Sequence, residues 1–233
     1  MNKKGFTLAE VLITLGIIGV VSAITIPSVV NKVQEQRRIN KLKKTYSILS
    51  QAYQRILSEE GNYEYWLDVT KTKQQQAEII AGKFKPYLKI MKDCAFQTGC
   101  LKDDYVKSLS GVNYQNYNRN ENEYKLILSD GVSLMFYSQP ILNTGFVGNI
   151  KIAIDGIQNT HVWGKDFFLI FIFKNKLRPE GVAVDNRFVT YCINKDAGSN
   201  YGLGCAAWVI YNGNMDYLHC PEKLNWNGKT KCD

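Results

Sequence analysis

The sequence predicts an α+β protein: a long N-terminal helix, membrane-inserted through its first half, packed on an antiparallel β-sheet head with a disulfide-rich C-terminal region. Three observations carry that expectation. An apolar segment follows a short basic start, a stretch with apolar residues at helical spacing continues it, and a series of β-type runs broken by turn residues comes after. A long helix beside four antiparallel strands is an α+β arrangement.

From Phe6 to Val30 the only ionisable side chain is Glu10, and Val11 to Ile26 is an unbroken stretch of apolar or small residues. As a helix this segment approaches the roughly 30 Å hydrocarbon thickness of a bilayer. A carboxylate at depth there costs several kcal/mol unless something compensates it. "VVSAIT" offers a small-residue site of the kind that ends a secretory signal peptide, but the apolar run continues past it through Pro27. Beyond, Ile39, Leu42, Tyr46, Leu49, Tyr53 and Ile56 alternate steps of three and four, which places them on one helical face. Glu59, Glu60 and Gly61 mark the stop. The organisation expected is a hydrophobic helix over residues 6–30, an amphipathic helix over 31–60 and a head over 61–233.

The opening "MNKKGFTLAEVLITLGIIGVV" resembles the class III signal of type IV pilins and of the pseudopilins of type II secretion systems. In that family a membrane aspartic protease, the prepilin peptidase, cuts after the glycine. The new N-terminal residue, usually Phe, is N-methylated, and a Glu four positions later is kept. The resemblance implies that residues 1–5 are a leader peptide, that the cut falls between Gly5 and Phe6, and that Phe6 carries the methylated amine. Glu10 is then the family glutamate, able to neutralise the amine of a neighbouring subunit in an apolar setting. Such a buried pair serves register more than stability. Gly19 and Pro27 weaken the hydrophobic helix, one by backbone freedom and the other by its missing N–H. In filaments of the family the stretch between equivalent residues can lose helicity; a kink at Pro27 is the alternative. The partners implied are other pilin or pseudopilin subunits, the prepilin peptidase, an inner-membrane assembly platform and membrane lipid. The location implied is the bacterial inner membrane, single-pass with the head in the periplasm, or a cell-surface filament.

The net charge of +8 is concentrated at the membrane end: residues 31–60 hold seven Lys/Arg against three Glu, while residues 61–233 hold twenty Lys/Arg against seventeen Asp/Glu. A nearly balanced head is a poor electrostatic footprint for nucleic acid, so no nucleic-acid partner is expected. Lys32, Arg37, Arg38, Lys41, Lys43 and Lys44 outnumber the cations of the leader, so positive-inside counting alone favours the opposite orientation. The cysteines and the family pattern outweigh that count here. The basic cluster reads either as a solvated face or as one that meets lipid headgroups or acidic neighbours.

In the head, "KTKQQQAEIIAGKFKPYLKIMKD" predicts a short helix through Ala77, Ile80, Phe84 and Leu88, disturbed by Pro86. "EYKLILSDGVSLMFYSQP" is two strands around the Asp130-Gly131 turn, "NIKIAIDG" and "KDFFLIFIFKN" are two more, and "KNKLRPEG" closes the last with a turn. The six cysteines, Cys94, Cys100, Cys192, Cys205, Cys220 and Cys232, lie in the distal part and point to an oxidising compartment. Fifteen connectivities exist, and the short separations favour Cys94 with Cys100, Cys192 with Cys205 and Cys220 with Cys232. A metal site made from them would have to recruit His161 or His219 and lacks any C-x-x-C spacing. The C-terminal end is expected to form surface loops whose aromatics, Tyr201, Trp208, Tyr211, Tyr217 and Trp226, serve either core packing or ligand binding.

No nucleophile elbow, zincin or phosphate-loop pattern occurs, and the protein reads as non-enzymatic. The run from Asp155-Gly156 to Gly164 and Asp166 is similar to a calcium-binding loop of major pseudopilins without matching its register. Asp155 and Asp166 are therefore candidate calcium ligands, and no other cofactor is expected. The functions weighed are a minor subunit of a type II secretion pseudopilus or type IV pilus, and a tip adhesin or DNA-capture pilin acting through its C-terminal loops.

Overall fold

The structure, a computed structural model, describes residues 7–141, 143–157 and 159–232. Its contacts divide the chain into two units, Met1–Arg37 and Arg38–Asp233. One helix, α1 (Leu8–Glu60, 53 residues), runs through both. Its described residues in the first unit are almost all exposed, among them Leu8, Leu12, Ile13, Ile17, Ile24 and Val29. Residues 8–30 alone rise about 35 Å as helix, enough to cross a bilayer. The helix continues through Gly19 and Pro27.

The second unit is the head, and the second half of α1 is part of its core. Ile39, Leu42, Leu49, Tyr53 and Ile56, on the face that the spacing marks, are buried, and Tyr46 is half-buried. Gly61, with φ +77°, ends the helix and donates its N–H to the Leu57 carbonyl, the left-handed step at which glycine meets no Cβ penalty. A second helix, α2 (Lys73–Phe84), starts at a capping box in which Thr72 and Gln75 exchange side-chain and backbone hydrogen bonds. It stops in a 3-10 turn at Lys85–Tyr87, around Pro86. Phe84 stacks on Tyr53 of α1 at 5.8 Å and meets Phe136 of the sheet at 5.3 Å.

The strands are β1 (Ile90–Ala95), β2 (Val106–Lys107), β3 (Asn113–Gln115), β4 (Tyr124–Leu128), β5 (Ser133–Ile141), β6 (Phe146–Ala153), β7 (Phe167–Phe173) and β8 (Lys176–Pro179). Six of them form an antiparallel sheet in the order β1-β4-β5-β6-β7-β8, and β2 pairs with β3. Four of the six match the strands expected from sequence. β1 and β8 are additions, and "KNKLRPEG", expected to turn, instead turns at Lys174-Asn175 and returns as the edge strand β8. Pro179 sits at the end of that edge, where its missing N–H costs no ladder bond. β1 is charged and its register shifts twice, which is how natural edge strands avoid further pairing.

Strand alternation gives the sheet two different faces. Leu126, Leu134, Phe136, Ile150, Ile152, Phe168 and Ile170 join the α1 and α2 core. On the opposite face Met135, Ala153, Phe167 and Leu169 form a second cluster under Tyr117, Trp163 and Leu203.

After β8 come a six-residue π-helical turn (Phe188–Ile193), several 3-10 turns and one short helix, α3 (Ala206–Asn212). The expectation of surface loops here is corrected by burial. Phe188, Cys192, Cys205, Trp208 and Tyr217 are fully buried and belong to the main core.

Candidate functional site

The N-terminal end of α1 is built by two residues. Thr7 donates its N–H and its hydroxyl to Glu10 Oε2, each at 2.8 Å, and its Oγ1 accepts from the Glu10 N–H at 3.3 Å. That reciprocal capping box fixes the helix start and holds the carboxylate in the first turn, where the helix dipole favours a negative charge. The donors are neutral, so the charge of Glu10 is held in place without being cancelled. Gly5 and Phe6, the expected cut and methylation positions, lie outside the described residues. Further along, Thr14 donates its hydroxyl to the Val11 carbonyl and Thr25 to the Val21 carbonyl, each at 2.9 Å. Hydroxyls satisfied within the helix can enter an apolar medium without stranding a donor.

Part of the basic cluster after the apolar segment serves the head. Arg38 reaches Asp155 Oδ2 with Nε and a terminal nitrogen, both at 2.7 Å, and both side chains are largely buried. Lys41 Nζ donates to the carbonyls of Asp130 and Ile154, and Lys44 pairs with Asp130 at 2.8 Å. These three cations, at steps of three along one face, clasp the β4–β5 turn and the end of β6. The acidic neighbours of this face are thus the chain's own Asp130 and Asp155. Lys32, Arg37 and Lys43 are exposed.

The two candidate calcium ligands each have protein partners. Asp155 is the acceptor for Arg38. Asp166 accepts the Val162 N–H at 2.6 Å, with His161 Nδ1 at 3.6 Å from its other oxygen. Among the described residues no group of three or more His, Cys, Asp or Glu side chains gathers as a metal site would.

Three disulfides are present, Cys94–Cys100, Cys192–Cys205 and Cys220–Cys232, with Cα separations of 6.1, 4.8 and 5.8 Å. The last two each close a short loop within the C-terminal region. Of its aromatics, Trp208 stacks on Phe188 at 4.3 Å and is crossed by Trp226 at 5.1 Å. Tyr217 donates its hydroxyl to the Gly164 carbonyl. Tyr201, Trp208 and Tyr217 are buried, Trp226 is partly so, and Tyr211 is exposed. The C-terminal aromatics are chiefly core.

Comparison with known proteins bears on the start of the chain. Residues 1–26 match the prokaryotic N-terminal methylation motif. This is a prepilin-type processing segment. It supports a type IV pilin-like subunit, and it implies cleavage by a prepilin peptidase and assembly with other pilin subunits. The prepilin-type segment and the apolar half of α1 together fit membrane anchoring and filament assembly. No curated protein and no solved structure gives a significant match to the chain.

Several functional contacts were not read from the sequence. The Thr7 cap was signalled by the T-x-x-E spacing in "FTLAE". The clasp from Arg38 to Asp155 spans 117 positions, and no local pattern announces a pairing over that distance. On the outer sheet face Lys151 is buried and bonded to Glu123 at 2.7 Å. Charges set inside the apolar runs "NEYKLIL" and "NIKIAI" were the available sign.

Proposed function

We propose that this chain is a pilin-like structural subunit, cut after Gly5, methylated on Phe6 and assembled through residues 6–60 into a type II secretion pseudopilus or a type IV pilus. The observation that carries the reading is the prepilin-type segment on a helix whose described apolar half is exposed and whose other half is head core. An exposed apolar surface of that extent needs a bilayer or copies of itself to cover it. The disulfides and the prepilin-type segment favour an inner-membrane subunit with the head in the periplasm. A head of this size with a three-disulfide frame favours a minor subunit. Recognition through the C-terminal loops, as in a tip adhesin or DNA-capture pilin, has less support, because most aromatics there are buried.

Three measurements test the proposal. Mass spectrometry of the mature N-terminus should find Phe6 first, one methyl heavier, and an uncut Met1 or a cut elsewhere would sink the processing claim. Immunogold microscopy of intact cells with antibody to the head then separates the assemblies: label along surface fibres means a type IV pilus, and processed protein without surface label means a periplasmic pseudopilus. The variant Glu10→Val is expected to stay in the membrane but to lose at least about tenfold in filament incorporation, since one buried charge would lose its partner. Incorporation at the normal level would remove Glu10 from the assembly mechanism.

A further inference from the structure

On the sheet face away from α1, three side chains of complementary chemistry are packed together. Asn149 and Lys151 stand two apart on β6, so the period of a strand puts both on this face. Glu123 immediately precedes β4, on the far side of β5, and reaches the same spot. Lys151 Nζ donates to Glu123 Oε1 at 2.7 Å and to Asn149 Oδ1 at 2.9 Å. Glu123, Lys151 and Asn149 are 2, 7 and 9 % exposed. The rings of Tyr117 and Tyr137 flank Nζ, with centroids at 5.0 and 5.2 Å, and an open cavity of about 360 Å³ is lined in part by all three side chains.

An amine, a carboxamide and a carboxyl group in contact, with water largely excluded, are the parts of an amide-forming centre. Two buried charges are costly to keep, and one proton passed along the 2.7 Å bond removes both. Burial pushes the Glu123 carboxyl up, against the pull of the Lys151 and Lys125 charges. The neutral pair that results is a nucleophile beside a general acid. Nζ already touches the carboxamide oxygen, so the carbon it would attack is one bond further on, and the fold has met the entropy of bringing the groups together.

We propose that Lys151 and Asn149 join through an intramolecular isopeptide bond, with Glu123 carrying the protons. The Lys151 ammonium first gives a proton to the Glu123 carboxylate. The free amine then attacks Asn149 Cγ, and a C–N bond forms. Glu123 returns its proton to Nδ2, the Cγ–Nδ2 bond breaks, and ammonia leaves through the cavity. The new amide nitrogen passes its surplus proton to Glu123. The products are a neutral amide, a neutral carboxylic acid and one ammonia, so the step needs no oxidant and no co-reactant. A buried ion pair is thereby replaced by uncharged groups, and the amide keeps an N–H for Glu123. The bond forms within the head, whether or not the chain enters a filament.

The test is peptide mass spectrometry of the full chain folded in phospholipid nanodiscs, after digestion with trypsin. Lys151 is expected to resist cleavage, giving a fragment of residues 126–165 that is about 17 Da lighter than its sequence, the mass of one ammonia. Chain held in denaturant from the moment of isolation as unfolded protein should stay unlinked, because the fold supplies the proximity. Glu123→Gln keeps an acceptor for Lys151 but carries no proton, and should lower the linked fraction at least about tenfold. Near-UV circular dichroism reports its folding; if it does not fold, the wild-type fragment and Lys151→Met decide. Complete cleavage at Lys151 in the folded wild type overturns the proposal. So does undiminished linking in folded Glu123→Gln, or a loss of about 18 Da, which would place the bond on Glu123 instead. The loss of ammonia persisting in Lys151→Met would mark a succinimide at Asn149 and overturn it as well.

Discussion

Glu180 shows what one residue can do where the C-terminal region docks. Its side chain is fully buried at the end of β8, with Arg187 on Oε1 and no partner on Oε2. Burial pushes its carboxyl up to about 7, helped by the charge of Asp185 and opposed by Arg187 and Arg178. The folded state therefore holds a proton that the unfolded chain releases near the ordinary carboxylate value. This contribution is fully present below about pH 4.5 and is lost as pH rises to about 7, a swing on the order of 3 kcal/mol. Thermal melts of the head should show a rise in stability from pH 8 to pH 5 that Glu180→Gln flattens. A variant with the wild-type slope would assign the pH dependence elsewhere. Single residues were legible in the sequence where local spacing defines them, as with the helical face from Ile39 to Ile56. Glu180 was not, because its burial comes from the fold of segments that carry no periodic signal.

Elements join in the head through glycine as much as through side chains. Gly181, at φ +91°, follows β8, and a Cβ there would sit 1.8 Å from the Gly204 carbonyl oxygen. At Gly202, with φ +103°, a Cβ would sit 2.3 Å from the Trp163 carbonyl oxygen. The segment carrying the Cys192–Cys205 disulfide therefore lies with its backbone directly on the turns that follow β6 and β8. Gly181→Ala adds both a clash with backbone and a strained φ, and is expected to cost at least about 3 kcal/mol. The expected readout is a lower denaturant midpoint and faster reduction of Cys192–Cys205, and an unchanged midpoint would show that the region docks less tightly than its geometry says. At this scale the four strands with continuous β-type runs were readable. β1 and β8 were not, since edge strands carry charge, bulges and proline to avoid looking like strands. The buried C-terminal region was read as surface because Gly and Asn are abundant in loops, whereas here the glycines permit close burial.

At the scale of the molecule, the boundary between compact units falls inside α1, after Arg37, rather than at the helix end. Residues 38–233 therefore contain every helical residue of the main core, while residues 61–233 lack Ile39, Leu42, Leu49, Tyr53 and Ile56. Each such side chain contributes about 1.5–3 kcal/mol on burial. Exported to an oxidising compartment, the 38–233 fragment should form three disulfides and melt cooperatively, and the 61–233 fragment should be degraded. A stable, cooperatively melting 61–233 fragment would show that the sheet and its C-terminal cover suffice alone. The overall class was legible because a membrane-length apolar run and a clear helical period are strong local signals. The open cavity on the sheet face away from α1 was invisible because its lining residues, Tyr114, Glu123, Tyr137, Lys151 and Trp163 among them, come from separate stretches.

The clasp of Arg38, Lys41 and Lys44 on the β4–β5 turn and the end of β6 has a mechanical meaning. A pull on the head through residues 38–44 loads these contacts directly. Force travelling along the helix first meets a row of ion pairs and carbonyl bonds on adjacent turns, so the load is shared across them in parallel instead of peeling them one at a time. Such a joint resists extension up to a threshold and then gives way as a group.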